Sequence, residues 1–312
     1  SRFTEPIIVS QMVRVSGGYY ALSATWEALQ FTNWKSDQLL QLQSAWQSER
    51  WNDGWLAAAE MERAIGSDTF TKCRSSYAYY DELGGPSGST RPFFEELWHD
   101  PNEAVERVAR QGRHFLWATW ISFQDEQWTL EQGQLGLDAL RRSARENAYA
   151  PAKLAFDATI KRRGEPSLWF LLSGWIGAST DRYLQKLATF ETIRRLTFTA
   201  IALHRHRLKH GQFPATLGAL VPVFLAEVPR DFMDGQPLRY RREPDGQFRL
   251  WSVGEDFKDD GGDPTPVGAP TTNPFDWLKG RDWVWPQPAS EAEVAAFHAE
   301  LAAKRAPGKS AK

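Results

Sequence analysis

The strongest constraint on the fold is a run from Thr180 to His210 in which apolar residues recur at helical spacing. Thr180 and Asp181 provide a helix start, and Gly211 provides the stop that glycine commonly supplies at a helix C-terminus. The apolar positions are Leu184, Leu187, Phe190, Ile193 and Ile201. The pattern predicts one helix of roughly thirty residues, which is far longer than the ~11 to 12 residues of a typical globular helix.

Helical patterns also dominate the chain before this run, although Gly17 and Gly18 are expected to weaken or break the first helix. Ser36 can cap one helix, and Asp100 with Pro101 can begin another. The apolar stripe of the helix that begins at Ser36 contains Leu39, Leu42 and Trp46. The stripe of the helix that begins at Pro101 contains Val105, Val108 and Ala109. A third helical segment carries Trp117, Trp120 and Ile121 on one face. The Gly/Ser/Pro-rich stretch at 84–92 is the clearest loop.

The helical pattern ends at Gly211, and the prolines at 214, 222, 229 and 237 interrupt the chain that follows. Residues 238–241 and 248–253 have the pattern of half-buried strands, and the turn at 243–246 joins them into a hairpin. Ser290 has capping-box spacing with Glu293, which predicts a helix to about Lys304 before a basic tail. The sequence therefore predicts a mainly α chain with a small antiparallel sheet behind the long helix.

Net charge and cysteine content exclude several classes of function. The 37 Lys and Arg nearly balance the 39 Asp and Glu, so no nucleic-acid partner is expected. The single cysteine, Cys73, excludes an intrachain disulfide and is expected to be a structural thiol.

The two most apolar stretches, 167–179 and 217–229, are shorter than the ~18 to 20 residues that cross a bilayer. Membrane attachment is therefore expected only through an anchor upstream of Ser1.

The loop at 252–263 packs five acidic residues and three glycines into twelve positions. Calcium takes six to eight oxygen ligands, and a glycine-rich acidic loop can supply them. The loop is no EF-hand, because the twelfth residue from Asp256 is Val267 instead of a bidentate glutamate. On spacing alone, a solvated acidic turn is the alternative.

Two further clusters invite functional interpretations. His206 and His210 have i, i+4 spacing that can bind zinc, but Arg205, Arg207 and Lys209 favour a basic helix end. The 15 tryptophans outnumber the 8 tyrosines, and eleven of them precede the long helix. They are expected to pack mostly between helices, with an exposed row at Trp51 and Trp55 as the alternative.

The C-terminal third resembles the major pseudopilin of bacterial type II secretion. The motifs that carry the resemblance are Leu203 to Pro214 (LHRHRLKHGQFP), Leu217 to Pro222 (LGALVP), Val228 to Asp231 (VPRD), Asp234 to Tyr240 (DGQPLRY) and Leu250 to Asp256 (LWSVGED). They occur in the family's order: a long helix, a turn ending in proline, a strand entry, a hairpin and a calcium loop. Unlike the family's N-terminal helix, this helix is internal and carries Arg194 and Arg195, so the resemblance implies the module's fold rather than filament assembly.

The resemblance also implies a set of calcium ligands. Asp256 falls on the family's first calcium aspartate, and Asp263 matches a later one. The carbonyl of Val253 is implied as a backbone ligand, and Asp259 and Asp260 can be recruited to the same ion. Calcium is the one cofactor expected from the sequence.

As a whole, the chain resembles a group of bacterial envelope proteins that join a helical N-terminal region to a pseudopilin-like end. The resemblance implies a periplasmic or other extracytoplasmic location. We expect a tryptophan-rich helical domain at 1–180, a pseudopilin-like α+β module at 181–288, and a C-terminal helix with a disordered basic tail at 289–312.

These features predict a non-enzymatic structural or interaction protein of the bacterial envelope, with a calcium-stabilised module and a protein partner in an envelope assembly. Two alternatives stay open. One is a carbohydrate- or peptide-binding protein that uses exposed tryptophans, and the other is a hydrolase with a cleft between the two parts.

Overall fold

The computed structural model describes residues 7–31, 33–49, 51–83, 95, 98–167, 170, 172–268 and 275–287, with backbone only for 51–53, 174–179 and 276. The predicted fold class is confirmed, since the chain is mainly helical with one small antiparallel sheet. The helices are α1 (Ile8–Leu29), α2 (Ser36–Ser48), α3 (Trp51–Ser75), α4 (Tyr77–Leu83), α5 (Pro101–Leu116), α6 (Ser122–Glu146), α7 (Ala150–Arg163) and α8 (Ser173–His210), with a π-helical turn at Trp117–Ile121. The predicted loop at 84–92 and C-terminal helix at 290–304 lie outside the described residues.

The long helix predicted from the sequence is confirmed as α8, which begins at Ser173 rather than Thr180. The earlier start has a tertiary cause: the buried carboxylate of Asp125 accepts hydrogen bonds from the N–H groups of Leu172 and Ser173, both at 3.0 Å. These N–H groups have no partner within the helix, so a remote carboxylate caps it. The helix ends as predicted at Gly211, which adopts the left-handed conformation with φ of 77°.

Helix α1 passes through Gly17 and Gly18 without a break, so of the two effects expected of these glycines, weakening or breakage, breakage is wrong. The reason is a close approach between helices. A Cβ atom at Gly18 would lie 2.0 Å from Cζ of Phe190 on α8, which only glycine can accommodate. Gly18 therefore brings α1 against the central helix, and the packing offsets the weak helix propensity of glycine.

The sheet follows the predicted hairpin and adds one strand. Strands β1 (Arg239–Arg242) and β2 (Phe248–Ser252) pair antiparallel, with Tyr240 opposite Leu250. Strand β3 (Trp283–Val284) pairs antiparallel with the other edge of β2, which gives the order β1-β2-β3. The acidic loop follows β2 directly, and its far end is tied to the start of β3 because the Asp263 carbonyl accepts a hydrogen bond from the Asp282 N–H at 3.0 Å.

One hydrophobic core extends from α1 to the end of the sheet, with α8 at its centre. Helices α1, α2, α3 and α6 and strand β2 all pack against α8. A second, smaller core contains Phe70, Cys73, Trp117 and Leu172. Within the described residues, none of the helices combines the length and apolar character needed to cross a bilayer.

Candidate functional site

Two buried carboxylates outside the acidic loop hold the loop in place. The first is Asp231, which is fully buried ahead of β1. Its Oδ1 accepts hydrogen bonds from Ser252 Oγ (2.8 Å) and the Met233 N–H (3.0 Å), and its Oδ2 accepts from the Val253 N–H (2.9 Å) and the Arg239 guanidinium (3.1 Å). Asp231 therefore positions Val253, the residue whose carbonyl is a predicted ligand.

The second carboxylate is Asp282, which directly precedes β3 and is also fully buried. Its Oδ2 accepts hydrogen bonds from the N–H groups of Gly262 (2.7 Å) and Asp263 (3.2 Å), which closes the far end of the loop. Its Oδ1 is buried and has no hydrogen-bond partner among the described residues. Burial raises the pKa of Asp282 above its ordinary value.

The predicted ligands lie around this frame, and protein donors engage most of them. Asp259 accepts from Trp251 Nε1 (3.0 Å) and pairs with Arg239 Nε (3.3 Å). Asp263 accepts from the hydroxyl of Thr265 (2.6 Å), with Arg281 3.8 Å from its other oxygen. Asp256 accepts the Lys258 N–H, and Asp260 is exposed.

Among the described carboxylates at the acidic loop, one buried oxygen, Oδ1 of Asp282, has no hydrogen-bond partner and could contact a cation. In the parts of the chain that the structure describes, no three His, Cys, Asp or Glu side chains are grouped as metal ligands. A calcium ion at this loop would compete with Arg239 and Arg281 for Asp259 and Asp263. The carboxylate of Asp282, whose buried Oδ1 has no partner among the described residues, is a further candidate ligand beside the four predicted aspartates.

Sequence reasoning missed Asp231 and Asp282, although both left a signal. Asp231 belongs to one of the motifs that resemble the pseudopilin, but no role was assigned to it. Asp282 immediately precedes the aromatic segment that forms β3. The sequence analysis does not predict β3, and only the pairing of β3 with β2 brings Asp282 next to the acidic loop some twenty residues earlier.

The three histidines at the end of α8 occupy different environments. His204 lies edge-on to the rings of Phe213 and Phe248, and burial, with a contribution from the charge of Arg207, lowers its pKa to about 4. The rings of His206 and His210 lie 4.5 Å apart, and His206 Nδ1 donates to the carbonyl of Gln212. Backbone and aromatic contacts thus account for these histidines.

Cys73 is fully buried, and burial raises the pKa of its thiol to about 11. The neighbouring Arg74 opposes this effect but does not overcome it. A thiol that stays protonated at neutral pH is a poor nucleophile. Cys73 therefore serves the small core, as predicted.

The tryptophans divide between core and surface. Trp55 and Trp117 are buried, whereas Trp120 is 76% exposed and Trp98 is 87% exposed. The predicted shared face of Trp117 and Trp120 is wrong, because the π-helical turn at Trp117–Ile121 has more residues per turn than an α-helix and rotates the two rings apart. The side chain of Trp51 lies outside the described residues.

Helix α5 exposes its apolar side. At ~100° per residue, Val105, Val108, Gly112, Phe115 and Leu116 share one side of the helix, and the four large side chains are all exposed. We call these five residues the α5 face. The opposite side of the helix is the buried one and carries His114, whose Nε2 donates to the carbonyl of Cys73 at 2.7 Å.

The α5 face continues beyond the π-helical turn. Trp120 and Phe123 are also largely exposed, so the apolar surface extends along two consecutive helices. Soluble monomers rarely expose contiguous apolar patches of this kind unless they bind something. The α5 face is therefore the candidate interaction site of the helical part.

No protein-family profile, curated protein or solved structure matches this chain. The resemblance to the pseudopilin therefore stays a prediction from the motifs.

Proposed function

We propose that this protein is a non-enzymatic scaffold of the bacterial envelope that assembles through the α5 face and carries a calcium-stabilised module at its C-terminal end. The observation that carries the proposal is the orientation of α5. A helix in a folded domain normally turns its apolar side inward, yet α5 buries His114 and exposes Phe115. The envelope location and the pseudopilin-like module rest on the sequence motifs.

The occupant of the α5 face that fits best is the α5 face of a second copy. In an antiparallel pair related by a two-fold axis, one register places Val105 opposite Phe115 and Val108 opposite Gly112. Each contact then occurs twice. Gly112 suits the register because no described atom lies within 4 Å of the position its Cβ would take, so a valine from the second copy can fill that space.

The charges beside the α5 face support the same register. Glu106 and Arg113 lie on one flank of the helix, and antiparallel packing sets like flanks against each other, so Glu106 meets Arg113 of the second copy. Both are exposed; Glu106 has only a 3.6 Å contact with Arg110, and Arg113 has no ion pair among the described residues. In this antiparallel register, the negative charge on the flank of one helix therefore lies opposite the positive charge on the flank of the other.

Val108→Arg is expected to convert the dimer to a monomer, with a dissociation constant raised at least 100-fold, because two arginines would face the central glycines. Analytical ultracentrifugation over a concentration series measures this. Val223→Arg is the matched control, since Val223 lies outside the α5 face and is at least as exposed as Val108. Glu106→Arg and Arg113→Glu should each weaken the dimer, and the combined charge swap should restore it.

A wild-type chain that stays monomeric at every concentration would refute self-assembly. A monomer that binds lipid vesicles through the same residues would also refute it and would assign the α5 face to a membrane. Failure of the charge swap to restore the dimer would refute the antiparallel register.

Calcium is expected to raise the melting temperature by about 5 °C relative to EDTA, as a ligand at ~100-fold its dissociation constant stabilises by ~2.7 kcal/mol. Asp256→Ala and Asp282→Asn should each abolish the difference, the second because it neutralises the carboxylate whose Oδ1 is unpartnered. Asp245→Ala, in the hairpin turn, is the control. Equal melting temperatures of the wild type in calcium and EDTA would contradict the calcium proposal.

One cavity favours carbohydrate or peptide binding as a second candidate function. It has a volume of about 420 Å³ and is lined by the aromatic residues Phe31, Trp34 and Trp285, with the side-chain amides of Gln30 and Gln247. Aromatic rings with a few polar groups are typical of small-ligand sites. Because Val108→Arg leaves this cavity intact, it separates the two candidates.

A further inference from the structure

A small polar cavity lies where the helical part meets the segment before β1. Its volume is about 290 Å³, and its polar lining includes Arg194 and Arg195 of α8, Arg230, Asn147 and Glu227. Asn147 ends α6 in the left-handed conformation, with φ of 53°. The cavity is separate from both the acidic loop and the α5 face.

The cavity wall contains two guanidinium groups that share one carboxylate. Arg194 donates from Nε and Nη2 to the two oxygens of Glu191, both at 2.8 Å, and Arg195 Nε donates to Oε1 at 2.8 Å. The side chains of all three are at most 14% exposed. The one negative charge of Glu191 therefore neutralises only one of the two positive charges of Arg194 and Arg195. Because these side chains are largely shielded from water, the unbalanced positive charge is unfavourable.

The remaining charges in the described part of the lining do not remove this excess. Arg230 adds a third positive charge, and Glu227 adds a second negative one that forms no ion pair with described residues. The five charged groups, counting the buried Glu191, thus leave one positive charge over. An anion in the cavity would balance it.

The hydrogen-bonding groups also suit an anion. Arg195 donates from Nη1 to the Arg230 carbonyl (3.0 Å) and from Nη2 to Asn147 Oδ1 (2.6 Å). These bonds fix the guanidinium plane and leave each of its terminal nitrogens a second hydrogen. Among the described residues, Arg230 makes one hydrogen bond, from Nη1 to the Gly235 carbonyl at 2.9 Å, and the amide nitrogen of Asn147 is a further donor.

We infer that this cavity is a binding site for a small oxyanion, namely the phosphate or carboxylate group of a small molecule. Planar guanidinium groups whose orientation is already fixed match such oxygens with two parallel hydrogen bonds. The volume admits a small metabolite and excludes a folded partner. Gln47 of α2 also lines the cavity. Because the cavity joins α2, α8 and the segment before β1, its ligand would connect the helical part to the C-terminal module.

Isothermal titration of the full chain with inorganic phosphate, and separately with succinate, tests the inference. One equivalent of at least one anion is expected to bind. Arg230→Gln should weaken binding about 10-fold by removing a donor and a charge. Glu227→Gln should tighten binding about 3-fold, because it removes an exposed negative charge that forms no ion pair with the described residues.

Arg162→Gln, at an exposed arginine outside the cavity, is the control for a general effect of charge, and melting temperatures without added anion show whether each variant is folded. Preference for phosphate or for succinate identifies the anionic group. Failure of both to bind at 10 mM would overturn the inference, as would affinities unchanged in both Arg230→Gln and Glu227→Gln.

Discussion

Replacing Asp231 with alanine is expected to lower the free energy of unfolding by about 4 kcal/mol. The substitution leaves the N–H groups of Met233 and Val253 and the hydroxyl of Ser252 without their acceptor, and it takes a counter-charge from Arg239. All three donors are buried, so water cannot replace the carboxylate without opening the sheet. Urea denaturation followed by tryptophan fluorescence measures the loss.

Asp245→Ala is the matched control for this substitution. Asp245 also accepts a hydrogen bond from the N–H group two residues ahead, at 2.8 Å, but it lies exposed in the hairpin turn. Its replacement should cost less than about 1 kcal/mol. A loss at Asp231 no larger than the loss at Asp245 would mean that the buried carboxylate does not hold the loop.

Glu191→Gln is expected to destabilise the protein by about 3–5 kcal/mol, because it leaves two little-exposed guanidinium groups with no counter-charge. Burial opposes ionisation of Glu191, but the hydrogen bonds and charges of Arg194 and Arg195 outweigh it and hold the pKa of this carboxyl below its ordinary value. A lowered carboxyl pKa stabilises the fold fully above the ordinary pKa of ~4.3, and this contribution is lost progressively as the pH falls from that value through the lower pKa of the folded state. Chemical denaturation at pH 7 and pH 4 measures both effects.

Two comparisons isolate the charge effect at Glu191. Glu60→Gln removes one partner of an exposed pair with Arg141 and should change stability by less than about 1 kcal/mol. Combining Glu191→Gln with Arg194→Gln should destabilise less than the sum of the two single changes, because the double variant leaves one guanidinium uncompensated instead of two. Strict additivity would contradict the charge argument.

Elements with local signals could be predicted from the sequence. The long helix has apolar residues at regular spacing and a glycine stop, and the hairpin has a turn sequence in which proline and glycine set the backbone angles. Both signals depend only on residues close together in the chain, so they can be recognised in the sequence without the tertiary structure. The start of α8 was misplaced because its cap, Asp125, lies 47 residues before Leu172 in the chain.

The candidate sites depend on long-range contacts that no local pattern encodes. Periodicity identified an apolar stripe on α5, but a stripe does not indicate whether it faces the core or solvent. Likewise, the sequence shows Arg194 and Arg195 only as two charges within a long helix. Their common partner is on the same helix, but the cavity they line also needs Asn147 and Arg230, which only the fold brings near.

The central position of α8 has a consequence for how the chain is made. Helices α1, α2, α3 and α6 pack on α8, which follows all of them in the sequence. At ~5 to 20 residues per second, α1 is synthesised roughly 10 to 40 s before the end of α8. Throughout that interval the sides of these helices that face α8 lack their partner, although α3 and α6 can already pack on each other. Part of the apolar surface of the nascent chain therefore stays uncovered until α8 has been made, and factors that shield apolar helices during synthesis have time to bind it before the core closes.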